Sequence, residues 1–278
     1  VRIDSTRFRL FSTNPERYRL YQSLGYRAIQ DSPAILLGIA GHEFMDADAR
    51  GGRFDAVVRE CKEKGIPGEL ISAAEVLAKV LIADYPAGGH VVLSEREFCR
   101  SIEGSPHQIT GKIDRVVNTG NGFKILDWKF KGNSNYRGLY EQEKKSDCQP
   151  GFYLLGAKSW GYQTTDFTFV AAVKSAPIEV WKIPVPADTW TPCKLQLLER
   201  SIHITCETIE FYERTFGIEE PWPHRHDAFP CNKDQKYCEY RHICQESHKQ
   251  GQLPGGFCFR PDHLEIMREG ATIDTTNQ

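Results

Sequence analysis

The spacing of apolar residues changes its period along the chain. From Pro33 to Ala49 they recur at helical spacing, with Ser32 placed to cap the helix and Pro33 suited to its first turn. Two further helical stretches follow, Phe54–Lys64 and Ser72–Asp84, the second opening on Ser72 and Glu75 at capping-box spacing. The period then drops to two. Val91–Phe98, Gln108–Val117 and Phe123–Phe130 read as strands, the last two joined by the turn Asn118-Thr119-Gly120-Asn121-Gly122. A helix over Glu141–Trp160 comes next, then strands Asp166–Val173 and Ile178–Ile183, then a long helix over Asp188–Thr215. Ahead of all this, Arg7–Tyr26 is rich in Arg and aromatics and helical around Pro15–Leu24. Behind it, from Trp222 onward, the chain is Pro, His, Cys and charge with little periodicity. No repeat, low-complexity tract or linker divides the sequence. The pattern predicts a single domain over residues 1–278, with a mixed α/β core at about 32–183 built on a central sheet, helical additions before it and a Cys-containing tail over 222–278.

Composition narrows this picture only slightly. Of 278 residues, 40% are hydrophobic and 26% charged, ordinary for a globular chain. No apolar run approaches the ~18 residues of a membrane span; the longest lie around Ala34–Ala40 and Phe167–Val173. The start, Val1 to Leu10, is charged and lacks the apolar stretch of a secretory signal, so an intracellular protein is expected. The net charge of −2 gives no bulk attraction to nucleic acid, so any such function must be read from local motifs. Nine Cys, an odd number scattered along the chain, do not make a disulfide framework. Cys61, Cys99, Cys148, Cys193, Cys206 and Cys258 stand isolated and read as buried or tolerated thiols.

The informative anomalies are two acids in apolar strands. In Gln108–Val117, Ile109, Gly111, Ile113 and Val117 point toward a core, whereas Thr110, Lys112, Asp114 and Val116 point the other way. A carboxylate inside such a strand is costly unless something compensates it. In the next strand Asp127 and Lys129 share one face, and Leu126 and Trp128 the other. Two carboxylates on hairpin-joined strands converge, and oxygen ligands so placed suit Mg²⁺ or Mn²⁺. A neighbouring ammonium stabilises charge on a phosphate or helps position a water. An isolated Asp-x-Lys is commonly a salt bridge on a solvated face; here two helices add to it. His42 sits in the apolar helix segment Gly38–Phe44, where an imidazole serves as a metal ligand or as an ordinary core residue. Gln149 and Tyr153, four apart, share one helical face.

The order Gly38-x-x-x-His42, Gly111-x-x-Asp114 with Val116, Asp127-x-Lys129 and Gln149-x-x-x-Tyr153 resembles the RecB-like branch of the PD-(D/E)XK nuclease superfamily, over about Ser32 to Val173. The resemblance implies a restriction-endonuclease-like core and a Mg²⁺- or Mn²⁺-dependent deoxyribonuclease, with an exonuclease acting on DNA ends favoured. It implies that His42, Asp114, Asp127 and the Trp128 carbonyl hold the metal, that Lys129 is catalytic, and that Gln149 and Tyr153 support the site and contact DNA. An acid of the first strand, Glu95 or Glu97, is also expected nearby. The alternative is a nuclease-fold DNA-binding or accessory protein of a repair, phage or CRISPR complex that no longer cuts. The sequence has no Gly-x-x-x-x-Gly-Lys-[Ser/Thr] loop, so ATP-driven translocation would need a helicase partner.

Cys231, Cys238 and Cys244 crowd into the tail. This part is similar to the iron–sulfur-binding ends of AddB-type and CRISPR-associated RecB-like nucleases, in which an N-terminal Cys supplies the fourth ligand. Here Asn14, in Asn14-Pro15-Glu16-Arg17-Tyr18, stands at that place. A [4Fe–4S] cluster with another fourth ligand, a zinc site completed by His224, His226, His242 or His248, and no metal at all remain open.

Overall fold

The computed structural model describes residues 1–28, 31–85, 91–133, 136–218, 220–222 and 257–259. In chain order the elements are β1 (Arg2–Ile3), α1 (Ser5–Thr13), α2 (Pro15–Tyr18), a π-helical turn (Arg19–Ser23), β2 (Tyr26–Ala28), α3 (Pro33–Ala49), α4 (Phe54–Glu63), α5 (Gly68–Asp84), β3 (Val91–Ser101), β4 (Gln108–Asn118), β5 (Phe123–Lys131), α6 (Arg137–Lys145), α7 (Gln149–Ser159), β6 (Asp166–Val173), β7 (Glu179–Val185), a 3₁₀ turn (Ala187–Trp190), α8 (Pro192–Phe216) and β8 (Phe257–Phe259). They form two compact units. One holds Arg2 and residues 31–201, the other Val1, residues 3–30 and residues 202–278.

The larger unit is built on a mixed sheet. β3 and β4 pair antiparallel along their length, β5 and β6 are parallel, and β6 and β7 antiparallel. β4 and β5 pair only from Arg115–Leu126 to Asn118–Phe123. Beyond that point β4 parts from β5, and Arg2 of β1 bonds Gln108 there at 2.9 Å. One face of the sheet presents Leu126, Trp128, Phe130, Val170 and Ala172. It buries them against Leu37, Ala40, Phe44 and Met45 of α3 and Ala74, Leu77 and Leu81 of α5. Fully burying one such aliphatic or aromatic side chain is worth about 1.5–3 kcal/mol, so this layer is a substantial apolar support of the unit. α7 covers the opposite face. It is buried from Pro150 to Ala157, which explains its all-round apolar sequence. Its close approach depends on small residues: Phe98 of β3 fills the space that a side chain at Gly111 or Gly156 would need.

Several sequence boundaries hold. α3 spans the expected residues, and Ser32 accepts the Ile35 N–H as its cap. α5 begins at Gly68, not at Ser72: the carbonyl of Pro67 takes the Leu70 and Ile71 N–H groups, so Ser72 and Glu75 lie inside the helix and form no capping box. The helix expected over Glu141–Trp160 is two helices, broken at Ser146–Cys148, with Pro150 in the first turn of the second. The last long helix starts at Pro192, after the separate 3₁₀ turn.

In the smaller unit, Phe11, Tyr18, Tyr212 and Trp222 form an aromatic cluster. Buried Glu16 pairs with Arg19 at 2.6 Å and accepts the Trp222 N–H at 2.8 Å. β2 and β8 pair antiparallel, with Arg27 opposite Cys258.

Candidate metal centre

The site lies where β4 has left β5. With the backbone ladder ended at Arg115–Leu126, the Asp114 carboxylate takes the Trp128 N–H itself, at 2.7 Å. That bond fixes the acid of one strand to the next and spares a buried donor. Leu126 and Trp128 fill the α3–α5 layer, so strand alternation sends Asp127 and Lys129 to the other face, toward α7. Asp127 is fully buried there. Its Oδ2 lies 2.5 Å from the Lys129 ammonium. Its Oδ1 accepts an N–H of the Gln149 side chain at 2.8 Å, and the same amide nitrogen bonds Tyr153 Oη at 2.9 Å. The two α7 residues predicted to share a face therefore do so, and that face meets Asp127.

His42 arrives from α3. Gly41 lets it come close, because a side chain there would run into the Phe130 ring. Gly38, the glycine the sequence pattern singled out, has open space around it. His42 Nδ1 is 3.0 Å from Glu95 Oε1 and 3.8 Å from Asp114 Oδ2. Glu95, of the two acids weighed on the first strand, is the one that joins the site; Glu97 is exposed and paired in register with Lys112. Glu95 adopts φ 48°, a left-handed conformation unfavourable for a side chain of this size. Lys112 holds its second oxygen at 2.7 Å.

A ring nitrogen of His42 and one carboxylate oxygen each from Glu95 and Asp114 lie within 4.8 Å of one another. One imidazole and two carboxylates in that space are a donor set that fits Mg²⁺ or Mn²⁺. Asp127 is outside this triad and one strand over. The electrostatics carry the mark of crowded acids. Burial opposes a charged His42, but Asp114 and Glu95 outweigh it and push the imidazole up to about 9. Burial raises Asp114 to about 7, opposed by His42 and reinforced by Asp127. Burial works against charged Lys129 too, yet Asp127 and Asp114 hold its pKa above the ordinary lysine value. Glu95 is lowered despite burial, by His42 and Lys112. An added dication would relieve the repulsion among these acids.

The Cys231, Cys238 and Cys244 expectation, with its histidine alternatives, lies outside the described residues. Asn14, where a fourth thiolate was expected, is buried and caps α2, accepting the Arg17 N–H at 3.0 Å.

A family model described as the PD-(D/E)XK nuclease superfamily matches residues 5–245. Among solved structures, a protein from Eubacterium rectale described as a candidate exonuclease is similar over 91% of this chain and 90% of its own, with a TM-score of 0.57 at 15% identity. That likeness is one of fold. A second, described as SSO0001, covers 84% of this chain and 95% of its own at 15% identity, with a TM-score of 0.36. No curated protein matches the chain.

Proposed function

The chain belongs to the PD-(D/E)XK nuclease superfamily, and on that premise we propose that it is a Mg²⁺- or Mn²⁺-dependent deoxyribonuclease of the RecB-like branch that degrades DNA from its ends. The observation that carries the reading is the convergence of His42, Glu95 and Asp114 beside the Asp127–Lys129 pair. His42, Glu95, Asp114, Asp127 and the Trp128 carbonyl would hold the divalent ion. Bound there, such an ion would neutralise charge on the scissile phosphate and would make an attacking water more acidic.

The protein's own groups do the rest. Asp114 is oriented by the Trp128 N–H and Asp127 by the Gln149 amide, so neither carboxylate must reorganise during reaction. The Lys129 ammonium, held in place by Asp127, offers positive charge where a phosphate oxygen gains negative charge as water adds across the phosphodiester. Tyr153 stays protonated far above neutral pH, raised by burial and by the two acids, and so acts as a neutral hydrogen-bonding prop for Gln149. Among the described residues no helix is long and apolar enough to cross a membrane.

The test is cleavage of end-labelled linear single-stranded, linear double-stranded and closed circular DNA with Mn²⁺, Mg²⁺ or EDTA, with Lys129→Ala alongside. Metal-dependent cleavage that spares the circle and is lost in the variant is the expected result. Failure of folded, metal-supplied wild-type protein on every substrate would point instead to a binding protein that does not cut.

A further inference from the structure

The turn that breaks the expected helix holds a buried ion pair that the chemistry above does not use. Lys144 Nζ lies 2.9 Å from Asp147 Oδ2, and both residues are buried. Such a pair is a poor stabiliser, because desolvating two charges offsets most of their attraction. Its placement is more telling. Asp147 Oδ1 accepts the backbone N–H of Gln149, the first residue of α7, at 3.0 Å. The side chain of that same Gln149 donates to Asp127 Oδ1 at 2.8 Å. Lys144 also lies over the Phe169 ring at 5.2 Å, and Lys129 approaches that ring at 5.9 Å. A continuous chain of contacts thus runs from Lys144 through Asp147 and Gln149 to Asp127.

We propose that Lys144 and Asp147 are positioning residues. By anchoring Asp147 in the turn, Lys144 sets where α7 begins, which aims the Gln149 amide and through it the Asp127 carboxylate and its Lys129 partner. This rests on the nuclease reading and extends it one layer outward. It also gives the helix break a role: in an uninterrupted helix the Gln149 N–H would pair with the Lys145 carbonyl, and the break hands it to Asp147 instead.

Asp147→Ala, Gln149→Ala and the double variant test it, with kcat and KM for linear DNA and, separately, Mn²⁺ affinity from thermal shift. Residues that orient metal-site groups typically contribute about 10- to 100-fold. Asp147→Ala is expected to lower kcat by roughly tenfold or more and to weaken Mn²⁺ binding, with little change in KM. The double variant should be no worse than Gln149→Ala, because the two act in one chain. An Asp147→Ala protein within twofold of wild type in both readouts, or losses that multiply in the double variant, would overturn the inference. Should Asp147→Ala fail to fold, Lys144→Met with Asp147→Asn removes both charges but keeps an acceptor for the Gln149 N–H. With the anchoring pair gone, kcat should still fall by about tenfold, and activity within twofold of wild type rejects the proposal. Wild-type protein that neither binds Mn²⁺ nor cuts would instead defeat the nuclease reading itself.

Discussion

Asp114 and Arg115 are neighbours on β4, both buried and both charged, yet they serve opposite sides of the strand in opposite ways. Arg115 pairs in register with Leu126 and sits over the Trp128 ring at 5.1 Å. It donates to the carbonyls of Met45 at 2.9 Å and Tyr85 at 3.4 Å, near the C-terminal ends of α3 and α5, with Asp48 at 3.7 Å. Its charge meets negative dipole ends and an acid, an arrangement that ties two helices to the sheet. Asp114 meets the reverse: two further carboxylates nearby, with burial and Asp127 raising its pKa. One buried charge is held by two helix-end carbonyls and an acid, although its Nε finds no partner among the described residues. The other sits among charges of both signs, with Asp127 and Glu95 raising its pKa and His42 and Lys129 opposing them.

Substitutions should separate the two. The largest effect belongs on the Asp114 side: Lys129→Ala or Asp127→Ala should cut cleavage by at least about 10²- to 10³-fold, the range for losing one preorganised charge-stabilising group. Each change also removes one partner of a buried ion pair and should lower the urea midpoint, so cleavage is compared per folded molecule; loss of folding would erase the distinction. Arg115→Met should do the converse, costing roughly 1–3 kcal/mol of stability as two carbonyls and Asp48 lose their donor. Activity per folded molecule should hold within a few-fold, and a hundredfold fall in kcat would place Arg115 in the site. Gly41→Ala crosses the boundary. Displacing Phe130 should cost about 1 kcal/mol and weaken Mn²⁺ binding as His42 withdraws; a calorimetric titration that matches wild type would show that α3 tolerates the shift.

The smallest effect is a slope with pH. Asp114 rises from 3.8 to about 7 on folding, so the folded chain binds more protons than the unfolded one between those values, and stability falls as pH rises through that window. His42 rises from 6.5 to about 9, a stabilisation that is present below 6.5 and lost as pH climbs through 9. Melting temperature in EDTA should therefore decline across both windows. Asp114→Asn should flatten the lower one, and a level wild-type profile would contradict both shifts.

How much of this was legible in the sequence varied with the kind of physics involved. The strand faces of Asp127 and Lys129 are legible because a period of two assigns faces without ambiguity. α3 was read to the residue because Ser32 and Pro33 are local signals. The α6–α7 break was not, since Glu141–Lys145 and Phe152–Ala157 are all compatible with one helix and the carboxylate that starts the second acts through its side chain. Glu95 could not be chosen over Glu97 by alternation, which puts both on one face; a backbone angle of the left-handed kind decides it. The pattern names Gly38 and is silent on Gly41, because the Phe130 ring that crowds Gly41 lies far along the chain. Nothing in the sequence singles out Arg115, because its partners include backbone carbonyls, which sequence does not display.

The distance along the chain between the site's parts has a kinetic meaning. His42 and Glu95 are 53 residues apart, and Gln149 and Asp127 are 22 apart across a parallel crossover. Contacts of that range close late, after local helices have formed. The acid cluster therefore needs α3 brought against the β3–β4 pair, and no local element carries it alone.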